Sequence, residues 1–223
     1  MIPNIIYEDN HLLVVEKPVN IPVQADNTKD TDMLTLLKKY LKEKYNKPGE
    51  VYLGLVHRLD RPVGGVMVFA KTSKAASRLS EQVRTRTFKK VYLAVIRGVP
   101  KEQKTKLKNF LVKDSSENMV YVVKEGTKDA KEAVLEYEVL KSDGLLSMIK
   151  VKLHTGRPHQ IRVQLSHSGY PLYGDQRYGV TVNKPGQQIA LWASSLTLEH
   201  PTKKEEMIFN CETPDTEPWI RFR

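Results

Sequence analysis

The chain has 223 residues, of which 40% are hydrophobic and 28% are charged, a composition typical of a globular protein and too apolar for a disordered one. Its 36 Lys and Arg residues exceed its 26 Asp and Glu residues, and the formal net charge of +10 favours a polyanionic partner, although solubility alone is an alternative explanation. The single cysteine, Cys211, excludes an intramolecular disulfide, and no apolar run approaches the roughly 20 residues that cross a bilayer. Since the N-terminus carries no signal-peptide pattern, we expect a cytoplasmic protein without membrane contact.

The first half of the chain alternates predicted strands with predicted helices. Short apolar runs that stop at Gly or Pro predict strands, and apolar residues three or four positions apart predict helices. These patterns predict a strand at His11–Lys17, a helix capped by Thr31 or Asp32, a strand at Val66–Ala70, a helix capped by Ser73 and a strand at Val91–Val95.

The second half is richer in strands. Its polar, Lys-rich segment Lys101–Gly126 predicts loops or a hairpin. The later patterns predict strands at Ala133–Leu140 and Leu145–Leu153 around a turn, a helix with Pro158 in its first turn and its end at Gly169, and strands near Ile189–Leu198 and Met207–Phe209. Because strands outnumber helices and most connections are short, we expect an α+β fold on a large mixed or mostly antiparallel sheet. No change in composition marks a boundary, so we expect a single domain over residues 1–223.

The segment Leu55–Thr72, LVHRLDRPVGGVMVFAKT, places a carboxylate between two strands. Asp60 follows an apolar run and precedes a Pro-Val-Gly-Gly sequence that predicts a tight loop. A carboxylate on such a loop is held rigidly and can face a cleft, as a nucleophile or general base requires. The alternative is that Asp60 caps a turn or pairs with Arg58 or Arg61.

The segment Leu153–Ser166 crowds polar residues at the start of a predicted helix. These residues are Arg157, His159, Gln160 and Arg162. Cations at a helix N-terminus oppose the helix dipole, so they require an anionic partner such as a phosphate or a buried carboxylate, Asp60 among them. A solvated basic helix start is the alternative.

The segment Arg84–Tyr92, RTRTFKKVY, interleaves basic and aromatic residues. Cations that contact phosphates and rings that stack on bases are typical of RNA binding. In the alternative interpretation, a charged helix end runs into a strand, and Phe88 and Tyr92 belong to the core. The histidines lack metal-ligand spacing and Cys211 stands alone, so we predict no metal site.

Together these segments resemble the RluA family of pseudouridine synthases. The matching motifs are HRLD at His57–Asp60, K-x-Y-x-A at Lys90–Ala94, TGRxHQIR at Thr155–Arg162 and LxGDxxYG at Leu172–Gly179. The opening YEDNHLLVVEKPVNIPV is also similar, so the resemblance covers nearly the whole chain. It implies the pseudouridine synthase fold and the isomerisation of uridine in RNA, without a cofactor or a metal. Many family members carry an N-terminal RNA-binding domain, which we do not expect here.

The resemblance also implies individual roles. Asp60 is the expected nucleophile or base, Arg162 its ion-pair partner, and Tyr92 the ring that stacks on the target base and whose hydroxyl could transfer the C5 proton. Arg58 is expected to fill the space left by the flipped uridine. The remaining motif residues expected to bind the substrate are His57, Lys90, Arg157, His159 and Gln160.

One departure from the family lies beside the expected catalytic loop. The family usually has a Thr-Ser pair before the last glycine of this loop, whereas this chain has Val63-Gly64. Two hydroxyls are therefore missing, which puts the rate or the choice of substrate in question. A noncatalytic RNA-binding protein on the same fold is the alternative that this departure supports. A hydrolase would need a second acid, and its candidate, Asp175, lies in a Gly-Asp setting that predicts a structural role.

The expected partner is tRNA or a ribosomal RNA hairpin. We expect specificity to come from the Lys-rich segment Lys101–Gly126 and from the basic helix at Lys38–Lys44. We expect a monomer.

Overall fold

The computed structural model describes residues 2–223 and divides into two compact units. The first unit comprises Met1–Lys90 and Ala193–Glu212, and the second comprises Val91–Trp192 and Thr213–Arg223. The expectation of a single domain stays a prediction. No helix within residues 2–223 combines the length and the apolar character needed to cross a membrane.

The secondary structure elements follow one another along both units. In chain order they are β1 (Ile5–Glu8), β2 (Leu12–Lys17), α1 (Met33–Lys44), β3 (Gly54–Leu55), β4 (Gly64–Ala70), α2 (Ser73–Arg84), β5 (Lys89–Arg97), β6 (Lys104–Asp114), β7 (Met119–Val123), β8 (Lys131–Ser142), β9 (Leu146–Leu153), α3 (Gln160–His167), β10 (Leu191–Glu199), β11 (Glu206–Asn210) and a 3₁₀ helix (Trp219–Phe222).

The strands of the first unit are ordered β1-β2-β4-β10, with β3 also paired to β4 and β11 paired to β10. β2 and β4 are antiparallel and pair from Leu12 opposite Ala70 to Lys17 opposite Gly65. Every residue of β4 is buried, as its continuous apolar sequence predicts for a strand covered on both faces. This strand leads directly out of the loop that carries Asp60.

The strands of the second unit are ordered β5-β9-β8-β6-β7, and their pairings are antiparallel. β8 alternates buried and more exposed residues along most of its length, because successive side chains of a strand point to opposite faces. Its inward residues are Ala133, Leu135, Tyr137 and Val139. β6 and β7 form the hairpin that was one of two alternatives for Lys101–Gly126.

The helix starts agree only in part with the sequence-based predictions. Asp32 caps α1 as expected, since its carboxylate accepts a hydrogen bond from the N–H of Thr35. The prediction of a Ser73 cap was wrong, because Thr72 has the extended backbone of a cap and its hydroxyl accepts from the N–H of Ala75. α3 begins after Pro158 rather than around it. The intervening residue, His159, adopts a left-handed backbone (φ 50°) that cannot continue a helix.

Candidate active site

A buried lysine anchors the loop that carries Asp60. The ammonium group of Lys17, which is fully buried, donates hydrogen bonds to the carbonyl oxygens of Pro18 (2.9 Å), Arg61 (3.0 Å) and Val63 (2.8 Å). Within the loop, the N–H of Val63 donates to the carbonyl oxygen of Asp60 at 3.0 Å. The side chain of Asp60 is half-buried. The backbone that follows Asp60 is therefore fixed, while the residue keeps part of its surface exposed.

The same surroundings change the pKa of Lys17. Burial lowers the pKa of its ammonium group to about 7. The negative charge of Asp60 acts in the opposite direction, whereas the positive charge of Arg61 adds to the lowering. Sequence reasoning missed this residue. The available signal was a lysine at the end of an apolar strand, directly before Pro18.

The arginine next to Asp60 has other partners. Arg61 forms an ion pair with Asp30, and its Nε donates to the carbonyl oxygen of Asn20 at 3.1 Å. A second carboxylate, that of Asp26, lies 3.8 Å from its Nη1. Arg61 therefore holds the segment between β2 and α1 against the loop, while Arg58 is exposed.

Gly65, the second residue of β4, lies where a side chain would be strained and would overlap the neighbouring strand. Its φ is +115°, in the region that side chains rarely adopt. A Cβ atom built there would meet the backbone of Ala193, including its nitrogen at 2.6 Å. The glycine thus permits close approach of β4 to β10.

His57 lies beneath the loop rather than on its surface. The side chain is 7% exposed, its Nε2 accepts a hydrogen bond from the N–H of Val68 at 3.1 Å, and its ring centroid lies 5.2 Å from that of Phe88. Burial, with a smaller effect of the charge of Lys90, lowers the pKa of His57 well below its usual value. A neutral ring that accepts at Nε2 carries its proton on Nδ1. Phe88 is also buried, which confirms the core alternative for this ring.

Lys90 lies at the end of the first unit, close to the same ring. Its Nζ is 5.4 Å from the centroid of Phe88, and burial lowers the pKa of its ammonium group to about 8. Two positions further along β5, in the second unit, Tyr92 is 6% exposed and pairs in register with Val151 of β9.

In the second unit, the basic start of α3 has a buried carboxylate as its partner. The guanidinium of Arg162 donates from Nε and Nη2 to the two oxygens of Asp175, at 2.8 and 2.9 Å. Asp175 also accepts from the N–H groups of Arg177 and Tyr178. Burial by itself would raise the pKa of Asp175, but the hydrogen bonds and charge of Arg162 lower it. The pairing of Arg162 with Asp60 stays a prediction.

His159 and Tyr178 connect this helix start to the β6–β7 hairpin. The Nδ1 of His159 lies 2.8 Å from the hydroxyl oxygen of Tyr178, which also accepts from the N–H of Val120 at 2.9 Å. The ring of Tyr178 lies 5.3 Å from the guanidinium carbon of Arg162. Tyr178 therefore contacts His159, β7 and α3. In the sequence, the only indication that Tyr178 matters was its place in the LxGDxxYG motif.

The other two motif residues make internal contacts. The Oε1 of Gln160, which is buried, accepts from the hydroxyl of Thr155 at 2.8 Å and from the N–H of Arg157 at 3.0 Å. Its Nε2 donates to the carbonyl oxygen of Val134 at 3.1 Å. Arg157 donates from Nε to the carbonyl oxygen of Glu132 at 2.9 Å. The structure thus brings Arg157, His159, Gln160 and Arg162 together at the start of α3, where each has a partner within the second unit.

Known proteins resemble this chain over most of its length. The family model for RNA pseudouridylate synthase matches residues 11–167. An uncharacterized RNA pseudouridine synthase of Aquifex aeolicus (strain VF5) is 34% identical over 224 residues, which cover 96% of this chain and 70% of that protein. The ribosomal large subunit pseudouridine synthase D of Pseudomonas aeruginosa is 34% identical over 231 residues, which cover 97% of this chain and 70% of that protein. The solved structure of human RNA pseudouridylate synthase domain containing 4 matches with a TM-score of 0.81 at 26% identity, over 95% of this chain and 89% of that one.

These similarities confirm the α+β pseudouridine synthase fold expected from the motifs. The matched region includes Asp60, Tyr92 and Arg162. The similarities to named synthases also favour the synthase over its two alternatives, the noncatalytic RNA-binding protein and the hydrolase. This chain belongs to the RNA pseudouridylate synthase family, in its RluA-type branch, and is an RNA pseudouridine synthase.

Proposed function

We propose that this enzyme converts specific uridines of large-subunit ribosomal RNA to pseudouridine, with Asp60 as its catalytic carboxylate. The proposal for the RNA class rests on relatives that are named for the large ribosomal subunit. Transfer RNA is the other RNA class expected from the sequence. The net charge of +10 suits either polyanion.

The observation that carries the proposal is the anchored loop. Lys17 holds the carbonyl oxygens of Arg61 and Val63, and the half-buried side chain of Asp60 projects from the backbone just before them. A catalytic group must keep its geometry within a fraction of an ångström, so a fixed backbone beside a partly exposed aspartate fits the requirement.

The reaction rearranges one nucleoside and conserves its atoms apart from exchange of protons with solvent. The N1–C1′ bond breaks, the base turns, a C5–C1′ bond forms, and the proton on C5 leaves while N1 gains one. A carboxylate can serve by attacking C1′, by adding to the base or by removing the 2′ proton, and Asp60 suits each of these steps.

Two further side chains complete the proposed chemistry. Tyr92 would stack on the target base, and its hydroxyl would take part in proton transfer at C5. Arg162 would supply a cation to the carboxylate of Asp60, and its bidentate bond with Asp175 would hold the guanidinium plane in position.

The proposed RNA contacts differ in kind. Arg58 is exposed and would occupy the space left by the flipped uridine, and Lys90 and Arg157 would contact phosphates. His57, His159 and Gln160 make the internal bonds described above, so they would act on RNA binding through the backbone they hold. We further propose that the enzyme acts as a monomer in the cytoplasm.

The test is release of tritium from RNA labelled at C5 of uridine, with ribosomal and transfer RNA transcripts in parallel. We expect release with the wild type and a loss of at least about 100-fold in Asp60→Asn, whose side chain has the same shape without the charge. Asp129→Asn, at an exposed aspartate between β7 and β8, is the matched control and should retain full activity. Release from transfer RNA alone would reject the ribosomal target, and full activity of Asp60→Asn would reject the catalytic assignment.

A further inference from the structure

A second surface of the first unit combines cations with an exposed aromatic ring. It lies at the C-terminal end of α1 and consists of Lys42, Lys44, Tyr45, Lys47 and Lys71, which we name the α1 patch. The ammonium groups of Lys71, Lys44 and Lys47 lie 4.8, 5.5 and 5.9 Å from the centroid of the Tyr45 ring. The Tyr45 side chain nevertheless keeps 46% of its surface exposed. The side chain of Lys71 is only 9% exposed. The groups that a ligand can reach are therefore the Tyr45 ring and the exposed lysines Lys42, Lys44 and Lys47.

Glu8 organises this patch from below. Its side chain is 7% exposed and its two oxygens accept from Lys44 and Lys71, both at 2.7 Å. They also accept from the hydroxyls of Tyr45 at 2.6 Å and Tyr40 at 2.9 Å. Burial acts to raise the pKa of Glu8, but these donors lower it to about 2, so the carboxylate stays charged. The Tyr45 ring is held in place although it is exposed, because the Tyr45 hydroxyl donates a hydrogen bond to Glu8.

The patch carries more positive charge than its own structure requires. Residues 38–47 contain five lysines and one acidic residue, Glu43. Among the described residues, Lys42 and Lys47 have no carboxylate partner, and both are exposed. The helix dipole accounts for cations in the last turn of α1. It does not account for Lys47 or Lys71, which lie outside the helix.

β4 separates the α1 patch from the catalytic loop. Asp60 lies just before Gly64, the first residue of β4, whereas Lys71 follows Ala70, its last residue. A strand of seven residues is about 23 Å long. That length corresponds to about eight base pairs of an A-form RNA duplex, which rises less per base pair than B-DNA. A ligand that reaches both places must therefore be an extended chain.

We propose that the α1 patch is a second RNA-binding surface that takes a part of the substrate remote from the target uridine, with its exposed lysines on phosphates and Tyr45 stacked on an unpaired base. The inference rests on the proposed function, since it takes the same RNA as its ligand. Single-stranded RNA is bound by such combinations of cations and exposed rings, because every base has a face on which a ring can stack. Such a surface would let the enzyme select its RNA through contacts far from the target uridine, in addition to those with the nucleotides around it.

The first test removes the charges of Lys42 and Lys47, neither of which bonds to Glu8. Lys42→Gln/Lys47→Gln is compared with Lys131→Gln/Lys184→Gln, which removes two exposed lysines of the second unit. Binding to a transcript of large-subunit ribosomal RNA is measured by fluorescence anisotropy over a range of salt concentrations. We expect the first variant to bind about tenfold more weakly at 0.1 M salt, with a log–log salt slope shallower by about 1.5. The control should match the wild type.

The second test separates the patch from the catalytic site. Turnover is measured on the same transcript and on a hairpin cut from it, which carries the modified uridine and is shorter than about eight base pairs. We expect kcat/KM of Lys42→Gln/Lys47→Gln to fall on the transcript, through KM, and to stay at the wild-type value on the hairpin. An equal loss on both RNAs, or unchanged binding and salt slope on the transcript, would overturn the proposal. Absence of pseudouridine formation by the wild type on either RNA would instead reject the proposed function.

The aromatic contribution is tested at Tyr45. Tyr45→Phe keeps the ring and removes the hydroxyl that bonds to Glu8, and Tyr45→Ala removes both. We expect Tyr45→Ala to bind the transcript at least about fivefold more weakly than Tyr45→Phe, which is the lower end of the effect of losing one stacked base. Equal affinities of the two variants would show that no base stacks on the ring.

Discussion

Replacement of Lys17 by Met removes one buried ammonium group and keeps a long side chain of similar volume. In the wild type this group donates to the carbonyl oxygens of Pro18, Arg61 and Val63. Met offers no donor, so these oxygens lose a partner in a part of the molecule where Lys17 itself has no exposed surface. The substitution therefore tests how firmly the loop with Asp60 is anchored.

The magnitude depends on pH because two effects oppose each other. An unsatisfied buried carbonyl costs about 1–3 kcal/mol, whereas removal of a buried charge recovers its desolvation. The pKa of Lys17 is lowered to about 7, so between pH 7 and its ordinary value near 10.5 the unfolded chain binds more protons than the folded one. The stability of the wild type therefore rises with pH in this window, by about 2 kcal/mol from pH 7 to pH 9. Lys17→Met lacks this contribution, and we expect it to be destabilised by about 1 kcal/mol at pH 7 and about 3 kcal/mol at pH 9.

The assay is urea denaturation of the wild type and Lys17→Met at pH 7, 8 and 9. Lys39→Met, at a lysine whose side chain is 75% exposed, is the control and should stay within about 0.5 kcal/mol of the wild type. All other titrating groups are shared, so the difference between the two proteins isolates Lys17. Parallel pH dependences would show that Lys17 keeps its proton throughout, and the reasoning from burial would fail. Under conditions where Lys17→Met is folded, we also expect slower tritium release, since the loop has lost its anchor.

Three further substitutions test the remaining geometry. Gly65→Ala should lower the free energy of unfolding, measured by urea denaturation, by at least about 3 kcal/mol, because the backbone is strained and the new Cβ overlaps the neighbouring strand. The control Gly126→Ala, at φ +83° with open space around it, should lower it by only about 1 kcal/mol. Equal effects would contradict the close approach of the two strands. Asp175→Asn should destabilise the protein by about 3–5 kcal/mol at pH 7, because it leaves Arg162 buried and uncompensated, and the wild-type contribution should disappear only as pH falls through the lowered pKa of Asp175; wild-type stability of this variant at pH 7 would show that the pair is dispensable. Tyr92→Phe should lower kcat in the tritium assay by about 100-fold, and an unchanged kcat would exclude the hydroxyl from proton transfer.

The elements that local pattern predicts best are those whose burial is uniform along the chain. β4 is covered on both faces, so its apolar run was sufficient, and the turn between β8 and β9 has the residues that tight turns prefer. The starts of α2 and α3 were misplaced by one or two residues, since the exact cap depends on backbone angles. At His159 the left-handed backbone, which no propensity marks, delays the helix. The sequence could not decide between loops and a hairpin for Lys101–Gly126, because a polar segment has little hydrophobic periodicity. The observed pairing of β6 with β7 decided it.

The amino-acid sequence by itself determined the family of this protein, because four motifs in order specify it, and it predicted Asp60 as the catalytic carboxylate. The tertiary structure alone decided which groups hold those residues. Lys17 lies 44 and 46 positions from the carbonyls that it binds, and Arg162 lies 13 positions from Asp175. Such partners are chosen by which buried donors and acceptors lie close together after folding. No local pattern records that choice, and so the anchor of the Asp60 loop, the partner of Arg162 and the α1 patch around Glu8 became visible only in the folded chain.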